Sequence, residues 1–149
     1  MEAILTKAEA SLELKRVFKA PVSQVYKAWT DPKMLDKWFH PAAGMTSTSQ
    51  VDLRQGGSYH IIMHGSRGDF TVAGKYEEVI PEKKLVFTWQ WQGEEEYETT
   101  RVTVLFRPLG PNATELTLIH GDFDTQEERD SHGDGWLGTF EQLAAELAA

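Results

Sequence analysis

Few residues in this chain have the type and spacing to do chemistry, and they lie apart. His60 and His64 are four positions apart, a spacing that on a helix would bring two imidazoles to one metal ion. Here Tyr59, Ile61 and Met63 alternate with His60, Ile62 and His64, so the period is two and the segment reads as a strand. Four strand residues span ~13 Å, while a zinc–nitrogen bond is ~2 Å. The two histidines therefore read as a solvent-facing pair, and no metal is expected. Ser131, His132 and Asp134 are close in sequence, but a nucleophilic triad needs convergent side chains rather than adjacency. No Gly-x-Ser-x-Gly elbow is present, and the cluster reads as the start of a helix. Gly56-Gly57 and Gly65-Ser66-Arg67-Gly68 are not followed by a helix whose N-terminus could hold a phosphate, so they read as hairpin turns. Asp52 and Arg54 share one strand face and read as an ion pair or turn brace. The acidic run at 94–98 reads as a solvated hairpin tip. No cofactor is expected, and no complete catalytic set is found.

The aromatic residues carry more weight. Tyr59, Met63, Phe70, Trp89, Trp91 and Phe106 fall on inward positions of their strands, opposite Trp136 and Phe140 on a late helical stripe. His120 ends the inward series Leu116, Leu118, His120, and Arg16 lies on the inward series of the first strand. Two readings stand side by side. Close packing would make all of these plain core. An apolar pocket with a few convergent polar groups would make them a small-molecule site. Trp38 and Pro41 either border its mouth or fasten short helices to the sheet.

Bulk properties narrow the setting. The 149 residues suit one domain, read over 11–149 with a flexible lead-in at 1–10. A net charge of −8 with scattered Lys and Arg argues against nucleic acid and against an anionic membrane surface. There is no cysteine, which removes disulfides and thiolate chemistry and fits a cytoplasmic setting. The first residues lack an apolar signal-peptide core, and no run approaches the ~20 apolar residues that span a bilayer.

The elements that must position these residues follow from periodicity. Leu12, Leu14 and Phe18 mark a first strand, and Val22, Val25, Tyr26 and Trp29 mark one face of a short helix. Asp31-Pro32 opens a second short helix that carries Met34, Leu35 and Trp38. From Met45 to His120 about six strands alternate apolar and polar residues, joined by tight turns, which predicts an antiparallel meander. Gly74 interrupts one of them and predicts a bulge or a close approach. Thr125 to Glu128 fits a capping box ahead of a long final helix with Trp136, Phe140, Leu143, Ala144 and Leu147 on one stripe. Gly133, Gly135 and Gly138 each weaken that helix by about 1 kcal/mol relative to Ala, so a close approach or kink is expected there.

This order, with Arg16-Val17-Phe18-Lys19-Ala20-Pro21, Ala28-Trp29-Thr30-Asp31-Pro32, Val51-Asp52-Leu53-Arg54-Gln55-Gly56-Gly57, Gly74-Lys75-Tyr76, Leu85-Val86-Phe87-Thr88-Trp89 and His132-Gly133-Asp134-Gly135-Trp136, resembles the START-like or SRPBCC superfamily. Within it the chain is most similar to the branch named after the activator of Hsp90 ATPase. The resemblance implies an α+β helix-grip fold, in which a curved antiparallel sheet holds one long C-terminal helix, and a cavity between them that often takes a small hydrophobic ligand. It favours the pocket reading of Trp38, Tyr59, Met63, Phe70, Trp89, Trp91, Phe106, His120, Trp136 and Phe140. The leading expectation is a non-catalytic binder of a small apolar or aromatic molecule, oriented by His120 or Tyr59. One alternative is a cyclase- or hydrolase-like enzyme with neutral His120 as general base. Another is an interaction module with a chaperone partner. The resemblance implies that the Hsp90 activator carries an additional N-terminal domain for which this length is expected to leave no room, so the resemblance alone does not carry over its co-chaperone role. A homodimer is compatible with the sequence, although no residue pattern marks one.

Overall fold

The computed structural model describes residue 6, residues 9–93 and residues 98–148. The acidic tip at 94–97 and most of the lead-in at 1–10 lie outside the described residues. The chain runs β1 (Leu12–Phe18), α1 (Val22–Thr30), α2 (Pro32–Trp38), β2 (Thr46–Val51), β3 (Ser58–Gly65), β4 (Gly68–Ile80), β5 (Lys84–Trp91), β6 (Thr100–Gly110), β7 (Ala113–Gly121) and α3 (Gln126–Ala148). Seven strands form one antiparallel sheet in the order β1-β7-β6-β5-β4-β3-β2. This is the α+β helix-grip arrangement.

From β2 to β7 every strand pairs with its sequence neighbour, so tight turns suffice. The exception is the step from β1 to β2, which lie at opposite edges of the sheet. The chain crosses between those edges through α1 and α2, and so two short helices close one end of the sheet. Asp31 starts α2 by accepting a hydrogen bond from the Lys33 N–H at 3.0 Å, with Pro32 at the first helical position. Thr125 starts α3 in the same way, its hydroxyl accepting from the Glu128 N–H at 3.1 Å.

Two glycines mark close approaches. A Cβ on Gly74 would lie 2.0 Å from the Thr88 carbonyl oxygen, and β4 shifts register against β5 between Tyr76 and Glu78. A Cβ on Gly138 would lie 2.1 Å from the Pro41 carbonyl oxygen, so α3 rests directly on the loop that leaves α2. Gly74 and Gly138 are thus met by neighbouring backbone, the close approach expected at a glycine inside a strand or helix.

The core lies between the concave sheet face and the three helices. Leu85, Val102, Val104, Leu116, Leu118 and Leu143 are fully buried in it. The backbone of α3 approaches β1, α1 and α2, and stands farther from the middle strands β3 to β5. Large side chains must bridge that gap or leave it open. Among the described residues no helix is long and apolar enough to cross a membrane.

Candidate functional site

The gap is partly open. A cavity of about 310 Å³ lies between β3–β5 and the first half of α3, bordered by Phe39, Pro41, Met63, Phe70, Trp89, Trp91, Ser131, His132, Gly135, Trp136 and Thr139. Its size is at the small end of the range for small-molecule pockets. Alternation puts Trp89 and Trp91 on its sheet wall. On α3, His132, Gly135, Trp136 and Thr139 recur at i, i+3, i+4 and i+7, which is one helical face.

Two of its tryptophans, Trp91 and Trp136, are tethered in the same manner. The Trp91 indole N–H donates to Nε2 of His132 at 2.9 Å, and the Trp136 indole N–H donates to Nδ1 of His120 at 3.0 Å. An indole N–H only donates, so each of those imidazole nitrogens is unprotonated and each ring is neutral. The proton of His132 therefore sits on Nδ1, which donates to the Glu128 carbonyl at 2.7 Å. The proton of His120 sits on Nε2, which donates to Thr100 Oγ1 at 2.7 Å, and the Thr100 hydroxyl turns to the Trp89 carbonyl at 3.3 Å. The two imidazoles touch edge to face, with centroids 5.2 Å apart. Burial, and secondly the neighbouring His132, hold the His120 pKa well below the ordinary 6.5. Burial also lowers that of His132, against the opposing pull of its bond to the Glu128 carbonyl.

Of the ten residues expected from the sequence, the structure brings five to the cavity: Met63, Phe70, Trp89, Trp91 and Trp136. Phe70 stands at its rim and is 52% exposed. The other five lie elsewhere. Trp38 donates its indole N–H to the Ala28 carbonyl at 2.9 Å and fastens α2 to α1. Tyr59 donates its hydroxyl to the Thr88 carbonyl at 2.6 Å and borders only a void of about 10 Å³. Phe106 packs edge-on against Tyr26 with centroids 5.4 Å apart, and Phe140 against Phe18 at 5.9 Å.

His120 requires a correction. It was expected to face the pocket as an orienting group or a general base. Instead it is 0% exposed, behind Trp89 and Trp136, and both its nitrogens are bonded. It supports the wall through these bonds and does not border the cavity. Arg16 likewise lies at the seam of β1 and α3, where it pairs with Glu141. His60 and His64 follow the strand prediction. His64 bonds Thr48 at 2.9 Å and Asp69 at 3.0 Å, and no metal-binding cluster occurs among the described residues. Arg54 donates to Asp52 at 2.9 Å, the ion pair expected there.

Phe39, His132, Gly135 and Thr139 border the cavity without having been singled out for it. For the last three a signal existed, since they share the helical face of Trp136. Phe39 had none, because it follows the last turn of α2 and its direction depends on where that helix stops. The lining holds no Asp, Glu, Lys or Arg. Thr139 donates its hydroxyl to the Gly135 carbonyl at 2.8 Å. The imidazole of His132 is committed as described. What the walls present is mainly ring faces and methylene groups.

A family model described as activator of Hsp90 ATPase homolog 1-like protein matches residues 19–148. The chain belongs to this AHSA1-like family. Among solved structures, the AHSA1-like chain is similar to protein CV1439 of Chromobacterium violaceum, with 26% identity, a TM-score of 0.80, and coverage of 94% of this chain and 98% of that one. It is also similar to an AHSA1 protein of Silicibacter pomeroyi, with 28% identity, a TM-score of 0.80, and coverage of 93% and 98%. The human activator of 90 kDa heat shock protein ATPase homolog 1 is 22% identical over 125 residues. Those residues are 84% of this AHSA1-like chain and 33% of the human protein, so the chain spans about a third of that relative's length.

Proposed function

We propose that this protein binds a small apolar or aromatic molecule, without transforming it, in the cavity between β3–β5 and α3. The observation that carries the reading is the tethering of Trp91 and Trp136 to neutral imidazoles beside an open space of about 310 Å³. Both polar tips of those walls are satisfied within the protein, which leaves their apolar faces to meet an occupant. Burial of apolar area contributes roughly 25 cal/mol per Å² before the costs of binding are subtracted. The same bonds leave neither His120 nor His132 a free nitrogen for proton transfer, which weighs against the cyclase- or hydrolase-like alternative.

Ligand-detected NMR and thermal-shift screening with uncharged hydrophobic compounds test the proposal. Hits should raise the thermal midpoint, change tryptophan emission, and lose affinity in Trp136→Ala. A diverse panel without one hit would sink it. A chaperone contact is the second reading, resting on the resemblance to the human activator. It predicts retention of the chaperone on the immobilised protein, and a clean elution would remove it.

A further inference from the structure

We infer that Gly135 sets what the cavity admits, and that the occupant is an uncharged aromatic molecule lying against the α3 backbone at that residue. This rests on the binding reading above.

The three glycines of α3 are not equivalent. At Gly138 a side chain would strike the Pro41 carbonyl. At Gly133 a Cβ would make ordinary contact with Leu12, at 3.8 Å from its Cδ2. At Gly135 a Cβ would meet nothing within 4 Å, and Gly135 borders the cavity. It is helical, and its backbone is not in the left-handed region that favours glycine. Glycine weakens a helix interior. Here no neighbour and no backbone angle requires it. Because Gly135 borders the cavity and nothing else stands in front of it, we take a side chain at 135 to project toward that space.

The chemistry of the occupant follows from the other walls. Five of the bordering residues are Phe39, Phe70, Trp89, Trp91 and Trp136, and Trp89 and Trp136 already pack with centroids 5.1 Å apart. Such rings favour stacked or edge-on partners. No charged side chain borders the space, so a charge brought into it would lose hydration without gaining an opposite charge.

The test uses naphthol, which is neutral at neutral pH, and naphthalene sulfonate, an anion on the same rings. Each is titrated by calorimetry against the natural protein, Gly135→Ala, Gly135→Leu and the control Gly133→Ala. The natural protein and Gly133→Ala should bind naphthol at least about tenfold more tightly than the sulfonate. Gly135→Leu should weaken naphthol binding by about tenfold or more, and Gly135→Ala by a smaller factor. Both Gly135 variants should match or exceed the natural protein's thermal midpoint without ligand, since the helix gains a better former. If Gly135→Leu fails to fold, Gly135→Ala decides the matter. Unchanged naphthol affinity in the folded Gly135 variants overturns the role of Gly135. Equal affinity for the sulfonate overturns the uncharged occupant. Binding of neither probe by the natural protein overturns this inference, while the binding reading falls only if the diverse hydrophobic panel also gives no hit.

Discussion

The indole of Trp136 on α3 is hydrogen-bonded to the imidazole of His120 on β7, at 3.0 Å and wholly out of water. That bond joins the long helix to the sheet behind the cavity and fixes which nitrogen of His120 carries the proton. Through Thr100 it continues to the backbone of Trp89. A cavity wall made of rings is thereby held by a polar chain beneath it.

Replacing His120 by Leu should strand the Trp136 N–H in an apolar setting. A buried donor without a partner costs about 1–3 kcal/mol, and the cavity and shape change add to it, so a loss of about 2–4 kcal/mol is expected. His120→Asn, whose amide oxygen can stand near the lost Nδ1, should recover part of it. Urea unfolding followed by tryptophan emission compares the three proteins.

Acid should weaken the fold through the same group. Burial lowers the pKa values of His40, His120 and His132 in the folded protein, while the unfolded chain protonates near the ordinary 6.5. Below 6.5 the unfolded state takes up protons that the folded state resists, so stability is complete above that pH and declines as pH drops toward the folded-state values. For His120 the slope tends toward that of one proton taken up on unfolding. Urea midpoints measured from about pH 7.5 down to about pH 5 should decrease, and a flat profile would contradict a neutral buried His120.

Trp91→Phe keeps a ring in the wall but removes the donor that His132 accepts. A hydrogen bond to the neutral form of a base disfavours its protonation. The His132 pKa should therefore rise in the variant. Titration of imidazole resonances by NMR reads the shift directly, and an unmoved value would mean the indole contact does not control His132.

Gly138→Ala should be harmful although alanine is the better helix former. Its methyl would lie 2.1 Å from the Pro41 carbonyl oxygen, a backbone atom that cannot swing aside. Overpacking of this kind costs about 1–3 kcal/mol and exceeds the propensity gain of about 1 kcal/mol at its upper end. Thermal melts should show a lower midpoint, in contrast to the gain expected at Gly135.

The fold was largely legible because its signals are local. A period of two across Tyr59, Ile61 and Met63, Asp31 before Pro32, and the stripe from Trp136 to Leu147 each decide an element within a few residues. The site was half legible for a corresponding reason. Alternation tells that Trp89, Trp91, Phe106 and His120 all point inward, but not which of them meets the helix and which meets open space. That depends on the distance of α3 from each strand, set by remote contacts such as Gly138 on Pro41. His132 is adjacent in sequence to Ser131 and near Asp134, but on a helix those neighbours point in other directions. Its spacing of four from Trp136 was the informative relation.

The pairing of β1 with β7 has a consequence for how the protein is made. Leu12 stands opposite His120, more than one hundred residues later in the chain. Contacts so remote in sequence close slowly, since the intervening chain must first be gathered. On the ribosome, the strands up to β6 can emerge and pair while the first strand still waits for its neighbour. The chamber acquires its last wall only when the segment carrying His132 and Trp136 has left the exit tunnel. A nascent chain therefore has nothing to offer a ligand until α3 has emerged.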